Sequence, residues 1–176
     1  TIDDVCTFIR NYMKEKGLDF EDYSQNKYNT GLSMHSKYSA LTLNEEQRLN
    51  IQCELTRGSD MPGINLVTEK FKDEEKIYIL DLGCARGTTI KDRFQNYPLS
   101  NLHVNGIDKS ADIIEIARKE CEGLNFHFAA IEVESDDFEK NIAEYMRMNN
   151  IPGFHLVIST VFLRHMKNPT LIMKRI

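Results

Sequence analysis

The stretch YILDLGCARGTT (residues 78–89) joins a strand to a helix through a turn of small residues. Ile77, Ile79, Leu80 and Leu82 make a short apolar run of strand length, with one acid, Asp81, near its end. Gly83, Ala85 and Gly87 then come two apart, leaving the backbone of the turn nearly bare. The chain turns helical directly afterwards, so free N–H groups face the turn. One reading is a tight connection with no other purpose. The other is a pocket floor for a nucleotide-like ligand.

Outward from this stretch the pattern alternates. The strand at 77–82 is followed by a helix through Arg93 and Phe94, and LHVNGID (102–108) is a second strand. KSADIIEIARKEC follows as a helix, with Ser110 as N-cap and Ile113, Ile114 and Ala117 on one face. LNFHFAA (124–130) is a third strand. Ser135 is placed to cap a helix running to about Asn149, with Phe138, Ile142 and Tyr145 on it, and Pro152-Gly153 ends that unit. FHLVIST (154–160) is a fourth strand, and Asn168-Pro169 opens a last helix. Repeated β–α units of this length predict an α/β fold with a doubly wound, mainly parallel sheet. In such a sheet ligands bind at the C-terminal strand ends.

Residues 1–74 read differently, as an N-terminal helical cap. Val5, Phe8, Ile9, Tyr12 and Met13 share a helix face between Thr1 and a stop at Gly17. Residues 18–41 show no clear period and predict loop with short turns. Thr42–Glu45 (TLNE) is a capping box for a helix to Arg57, with Gly58 as its stop. A further helix at about 61–71 carries Ile64, Leu66, Val67 and Phe71.

The totals narrow the function classes. The apolar fraction of 41% supports a full core, and 28% charged residues are ordinary for a globular chain. A net charge of −5 and the absence of a Lys/Arg cluster argue against a nucleic-acid-coating surface. No apolar run approaches the roughly 20 residues of a membrane span. Cys6, Cys53, Cys84 and Cys121 form no CxxC pair, which speaks against a zinc cluster and for a reducing, cytoplasmic setting.

Asp108 at the end of the second strand lies 21 residues beyond Gly87, about where a dinucleotide fold keeps its ribose acid. The spacing is G-x-A-x-G, however, and Thr88 stands where the nicotinamide fingerprint has its last Gly. At this point the chain resembles the class I, Rossmann-like S-adenosylmethionine-dependent methyltransferases. ILDLGCARG is similar to their first motif, D-x-G-x-G-x-G, VNGIDKSADIIEIAR to their second, and FHLVISTVFLRHMKNP to their fourth.

The resemblance, over about residues 75–176, implies a cofactor site. Gly83, Cys84, Ala85 and Gly87 would lie along the methionine part, with Asp81 toward its amino group. Asp108 would hold the ribose hydroxyls, Lys109 would lie beside the adenine, and Ala130 and Ile131 would meet its edge. Ser159, Thr160 and Val161 would border the transferable methyl. It also implies seven strands, of which four are readable, so a chain truncated at its C-terminus is expected. The chain departs from the family pattern at three positions. Ala85 replaces a Gly, Ala130 stands where an Asp often binds adenine, and His155 replaces a frequent Asp.

His165 is the candidate acid/base group, and Tyr28, His35, Tyr38 and Arg164 are candidates for the substrate side. His155 reads as a surface residue at a strand start, and Arg86 as a solvated loop residue. The motifs require no metal. The expected activity is in-line methyl transfer to a small molecule, with a protein substrate as a further option and homo-oligomerisation open. The alternatives are a non-catalytic methyltransferase-like binding module and a nicotinamide-nucleotide enzyme.

Overall fold

A computed structural model describes residues 43–176, together with Asn11 and Lys14, both exposed helical positions. Compactness divides the chain into two units, Thr1–Ser39 and Ala40–Ile176. Apart from Asn11 and Lys14, the readings at 1–17 and 18–41, the Thr42 cap, and Tyr28, His35 and Tyr38 fall outside the described residues.

The second unit runs α1 (Leu43–Lys70), β1 (Ile77–Leu82), α2 (Thr88–Phe94), β2 (Leu102–Asp108), α3 (Ala111–Glu120) and β3 (Phe126–Ala130). It continues with α4 (Phe138–Met148), β4 (Leu156–Ile158), a 3-10 turn (Leu163–His165) and α5 (Pro169–Arg175). The four strands form one parallel sheet in the order β3-β2-β1-β4. The chain thus winds outward from β1 to β3 and returns across it to β4. The direction of winding changes between β1 and β4, where such sheets open a crevice.

Each face of the sheet carries its own core. Ile77 and Ile79 of β1 join Val104, Ile90, Phe94, Ile114, Ala117 and Ile64 on the face covered by α1, α2 and α3. Leu80 and Leu82 join Ile107, Phe138 and Ile172 on the face covered by α4 and α5. The period-2 alternation of β1 divides its side chains this way. Asn105 is a polar exception, 1% exposed. Its Nδ2 donates to Ile79 O at 3.1 Å and its Oδ1 accepts from Tyr145 Oη at 2.8 Å, which ties α4 to the sheet.

The boundaries of β1, β2 and α3, and the start of α5, agree with the sequence reading. Ser110 caps α3 by accepting from Ile113 N, and Asn168 caps α5 by accepting from Leu171 N. Three expectations need correction. The helix begun at 43 does not stop at Gly58; it continues through Pro62 to Lys70, so the separate helix at 61–71 is its second half. Buried or half-buried Leu49, Cys53, Thr56, Asp60, Ile64, Thr68 and Phe71 follow one another at three- or four-residue steps across the expected break. Gly58 and Gly63 lie on the open side, where an added Cβ would meet nothing within 4 Å. Burial of one continuous stripe outweighs the local cost of the breakers.

The second correction concerns Ser135, which accepts from Asp137 N in a turn, so α4 starts only at Phe138. The third is β4, which is three residues long rather than seven. His155, just before it, is half-buried rather than a surface residue. Its Nδ1 accepts from Tyr78 N at 2.9 Å while its own N donates to Tyr78 O at 2.8 Å. Its ring stacks on Tyr78 and meets Phe71 edge-on, so imidazole and backbone together extend the pairing of β4 on β1.

Among the described residues no helix is long and apolar enough to cross a membrane.

Candidate cofactor site at the strand ends

Register brings the ends of the strands together. Asp81 lies opposite Gly106 on one side and Ile158 on the other, and Asp108 lies opposite Ala130. The loop after β1 turns over the end of β2, with Gly83 N and Cys84 N both donating to Ile107 O at 2.8 and 3.0 Å. Gly83, Ala85 and Gly87 all have positive φ, at 70°, 47° and 76°. Alternate left-handed residues give the tight turn that the small-residue spacing predicted.

Ala85 has a packing reason for not being Gly. Its methyl is buried with Leu49 of α1 and Ile113 of α3. A left-handed alanine costs roughly 1 kcal/mol, and this burial offsets part of it. The methyl therefore faces apolar packing and does not narrow a pocket. Cys84 is likewise turned inward, its thiol raised well above the usual range by burial and by the nearby Asp81 and Asp108. Any ligand contact it makes must be through its backbone.

Asp108 is half-buried and organises the loop. Its Oδ2 accepts from Ala85 N at 3.2 Å and its Oδ1 from Ser110 N at 3.1 Å. A carboxylate has further lone pairs, so it can accept from a ligand diol as well. Asp81 is 3% exposed. Burial first, then the negative charges of Asp60 and Asp108, push its pKa up to about 8, against the pull of Arg93. It holds a proton at neutral pH.

Gly83 is tighter than expected. A Cβ built on it would stand 2.1 Å from Cδ2 of Phe162, whose ring lies directly over it. A larger residue here would disturb the loop itself as well as any ligand. Val161, before Phe162, is a β-branched residue at φ 62°. Ser159 Oγ is buried without a hydrogen-bond partner, and Thr160 Oγ1 donates to Asp60 Oδ2 at 3.3 Å.

The remaining candidates divide. Lys109 and Ala130 are exposed at the rim, whereas Ile131 is buried and its N donates to Asp108 O at 2.8 Å. Arg86 pairs with Glu120 of α3 rather than standing solvated. His165 is half-buried on the 3-10 turn beside the exposed Arg164, its N donating to Phe162 O at 2.9 Å. Sequence reasoning missed Asp60, Arg93 and Phe162. Asp60 sat in the supposed gap between two helices, and nothing local marks Arg93 as a residue whose side chain is 0% exposed. Among the described residues no group of His, Cys, Asp or Glu is placed to hold a metal ion.

The parallel β3-β2-β1-β4 sheet, with a bare turn and two acids at its strand ends, defines a Rossmann-like class of α/β protein. A family model described as a methyltransferase domain matches residues 73–176, well over half of the chain. The chain belongs to this methyltransferase-domain family. No curated protein matches it. Among solved structures it is similar to magnesium protoporphyrin IX methyltransferase from Synechocystis PCC 6803 with bound SAM, at 15% identity and a TM-score of 0.48, over 96% of this chain and 68% of that one. A plantazolicin methyltransferase in complex with SAH is similar at 14% identity and a TM-score of 0.42, over 75% and 55%. Coclaurine N-methyltransferase bound to N-methylheliamine and SAH is similar at 22% identity and 0.32, over 43% and 23%. The chain thus spans about a quarter of the coclaurine enzyme and about half of the plantazolicin enzyme.

Proposed function

We propose that the chain is an S-adenosylmethionine-dependent methyltransferase that binds its cofactor at the C-terminal ends of β1, β2 and β4. The observation that carries this is the pair Asp81 and Asp108 around a left-handed turn, within a domain of the methyltransferase family. The site suits the group chemically. A buried carboxyl waits for an ammonium, a half-buried carboxylate has lone pairs for a ribose diol, and the orphaned Ser159 Oγ lacks a polar partner.

When bound, S-adenosylmethionine supplies an electrophilic methyl on a sulfonium. The protein's part is to orient and to exclude water. Asp81 would accept from the amino group as a carboxylate, its proton released to solvent. Asp108 holds the ribose hydroxyls while still fixing Ala85 N. Ala130 and Ile131 border the adenine, with Lys109 beside it, and its amino group finds backbone or Glu132 in place of an acidic side chain at 130. Gly83, Cys84 and Gly87 offer backbone along the methionine part, and Ser159–Val161 border the methyl. A small-molecule acceptor is the expected substrate, with the exposed Arg164 a candidate for its approach. His165 is the group to remove a proton where the acceptor needs one. The three free, buried cysteines of the described chain suit a reducing, cytoplasmic setting.

The Phe162 ring over Gly83 is what favours a second reading, a non-catalytic module of this family. Calorimetry with S-adenosylmethionine, S-adenosylhomocysteine and NAD, on the chain and on Asp108→Ala, separates the readings. Binding of the first two but not NAD is expected, weakened by about 1.5–3 kcal/mol in the variant, the range for a lost charged hydrogen-bond partner. Binding without turnover across a broad acceptor screen selects the module. Binding of NAD alone refutes both.

A further inference from the structure

Asp60 lies on the buried stripe of α1, and its Oδ2 is a junction. Arg93 donates to it from Nη2 at 2.9 Å, and Thr160 donates from the loop after β4 at 3.3 Å. The guanidinium is itself immobilised. Nη2 also donates to Cys53 O at 2.7 Å and Thr56 Oγ1 at 3.0 Å, and Nη1 reaches Cys53 Sγ at 3.3 Å and pairs with Asp92. A planar fork satisfied on several sides fixes the carboxylate it holds. The same oxygen also holds a loop that needs fixing. Val161 next to Thr160 is held in a backbone region that β-branched residues avoid, which requires support from outside the loop.

We propose that Asp60 is a positioning residue of the cofactor site, the point through which α1, Arg93 and the loop Ser159–Val161 hold one another at the end of β1. This rests on the reading of that edge as an S-adenosylmethionine site. Ser159 and Val161, the neighbours of Thr160, border the bound methyl in that reading, so a loosened Thr160 carries both away from it. Asp60 also acts through charge. It faces Asp81 as a like charge, together with Asp108 and against Arg93, and so opposes ionisation of the carboxyl that must receive the cofactor's amino group.

Three variants test this by calorimetry with S-adenosylhomocysteine between pH 6 and pH 9. Thr160→Val removes the donor at constant shape and is expected to weaken binding about tenfold, one hydrogen bond's worth, with the pH profile unmoved. Thr160→Ser keeps the donor and restores the affinity. Asp60→Asn keeps an acceptor but loses the charge, so the pH at which binding strengthens shifts downward, which a purely structural role would not produce. Parent-like affinity in Thr160→Val together with a parent-like pH profile in Asp60→Asn overturns the proposal while the cofactor site stands. A parent chain that binds neither S-adenosylmethionine nor S-adenosylhomocysteine overturns the site reading, and the proposal with it.

Discussion

Replacing Asp81 by Asn should make the free protein more stable, by an amount that grows with pH. Asp81 carries a pKa of about 8 in the folded chain against an ordinary 3.8, mainly because it is buried. Below pH 4 both folded and unfolded chains hold this proton, so Asp81 contributes no pH dependence. Between about pH 4 and pH 8 the unfolded chain releases it and the folded chain keeps it. The folded state binds more protons there, so stability falls as pH rises. A tenfold difference in proton affinity between the two states corresponds to about 1.4 kcal/mol, which sets ceilings of about 4 kcal/mol at pH 7 and about 6 kcal/mol above pH 8. Water entry and rearrangement around the charge reduce the realised loss. Asn has the shape of the protonated acid and no charge to strand. Urea denaturation of both chains from pH 5 to pH 9 gives a difference curve expected to rise with pH and flatten above about 8. A difference that stays constant across that range would show that Asp81 titrates like an exposed carboxylate, and the burial argument would fail. The same proton links to ligand: cofactor binding should release it, so affinity should rise as pH approaches 8.

Gly83→Ala should be strongly destabilising, because its methyl would stand 2.1 Å from the Phe162 ring at a positive φ. Phe162→Ala in the same chain should recover the steric part but not the conformational part, about 1 kcal/mol; additive losses in a double-mutant cycle would exclude the contact. Tyr145→Phe should cost about 1–3 kcal/mol by leaving the buried Asn105 Oδ1 without its donor, and an unchanged urea midpoint would show that the bond carries no net stability.

Much of the fold is local and therefore legible. β1 and β2 show themselves by apolar runs, α3 and α5 by Ser110 and Asn168 caps, and the turn between β1 and α2 by its spaced small residues. These features depend on neighbours within a few positions. The same locality misled at Gly58 and Pro62, where local propensity argues for a break, and at Ser135, where a cap was available but the helix starts later. Of the candidate site, Asp81, Asp108 and the left-handed loop could be placed from the sequence, since chain order in a parallel sheet fixes which residues end the strands.

Residue order alone was enough for the strand–turn–helix unit, the parallel sheet class and the two acids at its edge, because periodicity and turn chemistry are short-range. It took three-dimensional packing to establish that α1 runs unbroken, that the Ala85 methyl lies with Leu49 and Ile113, that His155 extends a strand pair, and that Phe162 covers Gly83. Packing also brought Asp60 to Arg93 across 33 residues and to Thr160 across 100. Those contacts join elements far apart in the chain, so they exist only once the two faces of the sheet have been packed.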